Sequence, residues 1–203
     1  MKSTVNIYWD NSNIFIGAKH AAWKKKEGYF QSTIRIQFDA LLNLAKAGRD
    51  LASAVCLGSI PPELKAVWDR VRQLGVEVET YERGAGSGRE QGIDQCLQVH
   101  MLRVVLDAQS PQVAVLLTGD GHGYEEGAGF FADLERVAKR GWGVEVLSWD
   151  GSCKVAFKKW ARNVGVYIPL EDYYDAVTFI ERGRMSSPLS LVHRPTAKPK
   201  EGE

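Results

Sequence analysis

The chain has 203 residues, 44% of them hydrophobic and 25% charged, enough apolar content to bury the core of one α/β-sized domain without requiring two. Lys and Arg number 26 against 25 Asp and Glu, so the net charge of +1 makes no overall case for a polyanion partner, and a nucleic acid would need a local basic patch. No window approaches the ~18 apolar residues of a spanning helix, and "MKSTVNIYWD" lacks an apolar run with a small-residue cleavage site, so a soluble, cytoplasmic protein without membrane contact is expected.

Five short apolar runs rich in β-branched residues punctuate the chain: Val5 to Trp9, Leu51 to Leu57, Val76 to Tyr81, Val113 to Leu117 and Val144 to Trp149. Helical stripes separate them. Phe38, Leu41, Leu42, Leu44 and Ala45 form the first; Leu64, Val67, Trp68, Val71 and Leu74 form the second, after the Pro61-Pro62 start. Ile93, Cys96, Leu97, Met101, Val104 and Val105 make a third, and Phe130, Phe131, Leu134, Val137 and Ala138 a fourth, each at the spacing of a helix laid on a sheet. Val155, Phe157, Trp160 and Ala161 predict one more helix, and "VYIPLEDYYDAV" an edge strand with a closing helix. Strands alternating with helices imply a mostly parallel sheet of five or six strands covered on both faces.

A single domain over residues 1–182 is expected, followed from about Gly183 by a tail, 183–203, whose prolines and sparse apolar residues read as disorder. Cys56, Cys96 and Cys153 form no CxxC pair and suit buried thiols in a reducing compartment; neither a structural zinc nor a disulfide framework is expected. No internal repeat is visible.

Ligands of open parallel sheets bind outside the carboxyl ends of the strands, near the point where strand order reverses. Two strands end there in aspartate, "VNIYWD" in Asp10 and "VAVLLTGD" in Asp120, and "GID" places Asp94 at the opening of a helix reached by a βα loop. Three carboxylates on one edge repel each other unless a cation sits among them, and Mg²⁺ or Mn²⁺ suits hard oxygen ligands with an open side for a phosphate. Such a site can hydrolyse phosphodiesters. Taken singly, each aspartate also has a plain reading: Asp10 and Asn13 as a turn or helix cap, Asp94 as a partner of the helix dipole, Asp120 as part of a "GDG" turn.

These motifs also carry a resemblance. "YWDNSNIFIGA" resembles the opening strand and D-x-S-N turn of NYN domains, a branch of the PIN-like nucleases; "GIDQCLQVHML" is similar to that family's G-V-D helix, "LLTGDGHGYEEG" to its GD-S-D-F strand end, and "ADLERVAKRGWGVEVLSW" to the helix and strand that follow. The likeness spans residues 4–175. It implies a three-layer α/β/α, Rossmann-like domain and a metal-dependent endoribonuclease that cleaves RNA at an acidic pocket, with Asp10, Asp94 and Asp120 as metal ligands and Asn13 supporting Asp10. Two positions depart from the family: the second aspartate of GDSDF is His122, and an acidic residue six positions after the helix aspartate is His100.

His122 could ligate the ion, act as general acid or base, or be a surface histidine in a glycine-rich turn. Glu125 and Glu126 could restore the lost carboxylate. His100 is about 120° around the helix from Asp94, so a packed histidine is expected rather than a shared metal. The loop "KHAAWKKKEGYF", 19–30, could hold a phosphate backbone on Lys24, Lys25 and Lys26 while its aromatics stack on bases; a solvated charge run with core-facing aromatics is the plainer reading. Arg83 and Arg89 in "ERGAGSGREQG" are further phosphate contacts, and the spacing of Gly84, Gly86 and Gly88 does not match a dinucleotide-binding turn. A mobile loop over the pocket is expected there. The leading function is ribonuclease, with a catalytically degenerate domain binding RNA or a protein partner as the alternative; a phosphatase or other nucleotide-acting enzyme is a third, and the oligomeric state stays open.

Overall fold

The computed structural model describes the backbone of residues 3–60, 65–82, 88–119 and 127–200. Eight strands and seven helices alternate through these residues: β1 Val5–Asp10, α1 Asn11–Lys24, β2 Ile34–Ile36, α2 Phe38–Lys46, β3 Leu51–Ile60, α3 Lys65–Gln73, β4 Glu77–Glu82, α4 Gly88–Asp107, β5 Val113–Leu117, α5 Gly129–Lys139, β6 Gly143–Ser148, α6 Val155–Val164, β7 Val166–Pro169, α7 Tyr174–Val177 and β8 Thr178–Ile180. The five apolar runs become β1, β3, β4, β5 and β6 within a few residues of the expected ends, and β7 is the predicted edge strand.

Six strands form one sheet in the order β4-β3-β1-β5-β6-β7, every neighbouring pair parallel. Side chains alternate across β1, the middle of this order. Val5, Ile7 and Trp9 join the core layer that contains Ile14 and Ala18 of α1, Leu41 of α2 and Val71 of α3. Tyr8 joins the opposite layer with Leu97 and Met101 of α4, Leu134 of α5 and Phe157 of α6. Both faces are therefore covered, and the architecture is a three-layer α/β/α sandwich. The even-numbered side chains of β1, Asn6, Tyr8 and Asp10, share the second face. Asn6 is buried but satisfied, donating to Gln112 Oε1 at 2.7 Å and accepting from Ser53 Oγ at 2.7 Å.

The structure departs from expectation in two places and adds a small sheet that the spacing does not show. The segment 19–30 is not one loop, because α1 continues to Lys24: Gly17, Ala18, Ala21 and Ala22 are small enough to bury one helix face against the sheet. A second sheet, the antiparallel pair β2 and β8 with Ile34 opposite Ile180, lies outside the main one. Residues 183–200 are docked on the domain. Arg194 is buried, donates from Nη2 to Glu145 Oε2 at 2.6 Å and from Nε to Leu44 O at 3.1 Å, while the Ala197 amide reaches Glu145 Oε1 at 2.7 Å and the Lys200 amide reaches Gly141 O at 2.7 Å. Apolar content alone misses this attachment, because a fully buried carboxylate inside β6 anchors it.

Candidate active site

Chain order reverses at β1: β3 and β4 extend the sheet to one side, while β5, β6 and β7 extend it to the other. In such sheets the connections leave β1 and its later neighbour on opposite faces, which opens a crevice at their carboxyl ends. Asp10 stands at that point. It pairs in register with Leu57 of β3, and the preceding Trp9 pairs with Leu117 of β5.

Asp10 ends the strand and caps α1 with an extended backbone, φ −83° and ψ 94°. Its Oδ1 accepts the Asn13 amide at 3.0 Å and its Oδ2 accepts Asn13 Nδ2 at 2.6 Å, so one asparagine grips both oxygens. The plain helix-cap reading is thus realised, and it leaves room for more, since a carboxylate offers about four lone-pair sites. The residue is only 2% exposed. A carboxylate so nearly removed from water needs donors or a cation around it. Cys56 of β3 is close enough that the Asp10 charge, after burial itself, pushes its thiol well above the ordinary value, which keeps that thiol protonated and unreactive.

Glycine shapes the same corner. A Cβ on Gly119, just beyond β5, would fall 2.7 Å from Asn13 Cβ and 3.0 Å from its Cγ, so the backbone there lies directly on the asparagine that grips Asp10. Ser148 Oγ at 2.8 Å and Ser152 Oγ at 3.2 Å both donate to the Gly119 carbonyl, fixing the chain one residue before Asp120. Across α1, Gly17 leaves space for the Trp149 ring, whose Nε1 donates to Ile14 O at 2.8 Å. None of these supporting residues stands out in the sequence as chemistry; only the position of "SWD" at a strand end hints at them.

Two residues next to Asp10 in chain or in register carry buried oxygens with no hydrogen-bond partner among the described residues: Asn11 Oδ1, on a residue close to Gly58 of β3, and Thr118 Oγ1, one residue beyond the Leu117 that pairs with Trp9. The remaining atoms of this kind, the Tyr8 hydroxyl and the indole nitrogens of Trp9 and Trp68, belong to the apolar layers. Buried oxygen donors beside a buried carboxylate fit a hydrated hard cation, which supplies both charge and water protons.

Asp94 lies in the second turn of α4, half-buried. It is seven residues from Met101, about 700° of helix, so it shares the stripe of Leu97 and Met101 that packs on the Tyr8 face of the sheet. That is also the face of Asp10. Asp120, His122, Glu125, Glu126 and Arg83 lie outside the described residues, and of Arg89 only the backbone, in the first turn of α4, is described. Of the loop expected over 82–92, residues 83–87 lie outside the described residues, while Glu82 ends β4 and 88–92 are the first residues of α4, so the described part is strand and helix.

His100 is a packed histidine, its Nε2 2.7 Å from Glu79 Oε1. Among the described residues, the group whose ligand atoms all converge within 4.8 Å is Glu79, Cys96 and His100, not the aspartates.

Lys24, Lys25 and Lys26 are exposed at the end of α1, and the aromatics among them do not face the core: Trp23 is 63% exposed and Tyr29 92%. Lys25 Nζ sits 5.6 Å over the Tyr174 ring, and Lys24 reaches the loop after β6, where its Nζ would meet a side chain at residue 151. The patch therefore lies beside the carboxyl end of β6, roughly 20 Å along α1 from Asp10. Arg184 Nε, at 2.8 Å, and Tyr174 OH, at 2.7 Å, both donate to Glu27 beside it.

Among the described residues no helix is long and apolar enough to cross a membrane. No curated protein matches the chain. The NYN domain matches residues 4–164, a span that runs from β1 to the end of α6 and includes the crevice. NYN domains are generally ribonucleases, and PIN-like nucleases use divalent metals. The chain belongs to the NYN domain family.

Proposed function

We propose that this protein is a ribonuclease that hydrolyses RNA phosphodiester bonds at the crevice between β1 and β5, with Asp10, Asp94 and Asp120 holding Mg²⁺ or Mn²⁺. The observation that carries the proposal is Asp10: a carboxylate buried at the reversal of strand order and gripped through both oxygens by Asn13, with neighbouring Asn11 and Thr118 carrying buried oxygens that have no partner among the described residues. An ion bound there supplies positive charge for the scissile phosphate and lowers the pKa of water that attacks it.

The chain's own residues then have distinct tasks. Asn13 holds the Asp10 carboxylate in one orientation, with both hydrogen bonds made before any ligand arrives. Gly119 lets the strand end approach that asparagine, and Ser148 and Ser152 hold its carbonyl. His122 serves as proton donor or acceptor, and Glu125 or Glu126 restores the carboxylate that His122 replaces. Lys24, Lys25, Lys26, Arg83 and Arg89 bind the phosphate backbone, while the exposed rings of Trp23 and Tyr29 stack on unpaired bases.

Purified protein incubated with single-stranded and structured RNA should cleave in Mg²⁺ or Mn²⁺ and stop when the metal is chelated. Mononucleotides should remain intact. Asp10→Asn should bind RNA and leave it uncut; cleavage that persists in this folded variant overturns the reading, and RNA binding without any cleavage by the wild type favours a non-catalytic domain.

A further inference from the structure

A second cluster lies on the same face of the sheet and has different chemistry. Cys96 and His100 are four residues apart on α4, so they lie one above the other on one helix face. Glu79 reaches them from β4, the edge strand. Its Oε2 accepts from Cys96 Sγ at 3.2 Å and its Oε1 lies 2.7 Å from His100 Nε2, with all the ligand atoms within 4.8 Å of one another. The Glu79 side chain is 32% exposed and that of His100 25%, so the cluster is sheltered yet reachable from solvent. Cys96 is half-buried, whereas Cys56 and Cys153 are buried.

We propose that Glu79, Cys96 and His100 form a binding site for a borderline divalent ion of the zinc class, separate from the aspartate crevice. The donor set decides the ion. One thiolate, one imidazole and one carboxylate suit Zn²⁺ and its neighbours, whereas Mg²⁺ prefers oxygen alone. Around a tetrahedral ion with bonds of 2.0–2.3 Å the ligand atoms sit roughly 3.3–3.8 Å apart. The three side chains already lie near that separation, and rotamer shifts of about an ångström bring them to it. Three protein ligands leave a fourth position for water, and the partial exposure of Glu79 and His100 allows it.

The site is next to the crevice without being part of it. Glu79 pairs with Leu57 on β3, and Leu57 pairs with Asp10 on β1, so two strand spacings, roughly 10 Å, separate the two carboxylates with a buried leucine between. The ion would fasten edge strand β4 to α4, two residues from Asp94. Sequence motifs conceal this arrangement, since one ligand comes from a strand and no CxxC or HxxxH spacing marks it.

The test uses the full chain, metal-free, in excess Mg²⁺ to occupy hard oxygen sites, titrated with Co²⁺ as a coloured substitute for Zn²⁺. The expected result is a sulfur-to-cobalt charge-transfer band saturating at one equivalent, displaced by Zn²⁺ and lost in Cys96→Ser. His100→Ala and Glu79→Gln should each weaken Co²⁺ binding by about tenfold or more. Far-ultraviolet circular dichroism checks that the variants are folded. Absence of the band in folded wild type, its survival in Cys96→Ser, or unchanged affinity in both His100→Ala and Glu79→Gln overturns the assignment. The band is read without RNA, so its failure is distinct from failure of the nuclease reading.

Discussion

Asp10 closes a strand, caps a helix and offers a carboxylate to the crevice, and these tasks separate under mutation. Asparagine caps a helix about as well as aspartate, so Asp10→Asn should change stability by less than about 1 kcal/mol in a thermal melt. The same change removes the negative charge, and RNA cleavage should fall by at least about a hundredfold. Asn13→Ala keeps the carboxylate but frees its orientation; activity should drop about 10–100-fold, the range for lost outer-shell partners of metal ligands. Gly119→Ala should act on the same point, because its Cβ would sit 2.7 Å from Asn13 Cβ. A loss of cleavage similar to that of Asn13→Ala, with RNA binding retained, is expected. The Asp10 cap and its Asn13 hydrogen bond were legible in the sequence because a strand end followed by a helix start follows from periodicity, whereas Asp94, expected at a helix opening, lies in the second turn of α4. Gly119, Ser148 and Trp149 were not, since their roles are contacts between distant segments that no local pattern records.

At the scale of elements, the main strands and the helices from α2 to α6 follow from hydrophobic spacing, and the structure reproduces them. The spacing predicts no stripe for α1, and its C-terminal end falls in the segment read as a loop, because after Ile14 its buried face is glycine and alanine, which gives a weak apolar stripe. The pair β2 and β8 has three residues a side, too few for alternation to register. The end of α1 and the turn after it form an exposed basic and aromatic surface, and its contribution is measurable by titration. Replacing Lys24, Lys25 and Lys26 together with alanine should reduce the slope of log affinity against log salt by about 2, at ~0.7 per lost phosphate contact on single strands. Trp23→Ala and Tyr29→Ala should each weaken single-stranded RNA binding by about 1–3 kcal/mol if a base stacks there. Unchanged affinity in both would remove this surface from the RNA path.

Across the whole molecule, a buried charge cluster helps tie the C-terminal segment down, beside the packing of Leu189, Leu191 and Ala197 on the core. Glu145 is fully buried in β6 and accepts from Arg49 at 2.6 Å and Arg194 at 2.6 Å, so neutralising it strands two guanidinium groups. Glu145→Gln should cost about 3–5 kcal/mol and lower the Tm on the order of 10 °C. Removing residues 183–203 should also destabilise, whereas a disordered tail would leave the melt unchanged. Glu27 ties Arg184 and Tyr174 to the end of α1. Burial alone would raise its pKa, but the hydrogen bonds from Arg184 and Tyr174 and the charges of Arg184 and Lys25 outweigh it and hold the carboxyl below the ordinary value. A depressed folded-state pKa stabilises above the unfolded value of about 4.3 and loses that benefit as pH falls through the lowered one. The stability gap between wild type and Glu27→Gln should therefore be complete at neutral pH and close in acid.

As proposed, the crevice at β1 and β5 is a hard-cation site built on Asp10. Anomalous diffraction from crystals soaked in Mn²⁺ tests it most directly. A manganese peak is expected within about 2.3 Å of an Asp10 oxygen, shared with Asp94 and Asp120, with the Asn13 hydrogen bonds kept. A fully soaked crystal with no manganese at Asp10 would contradict it.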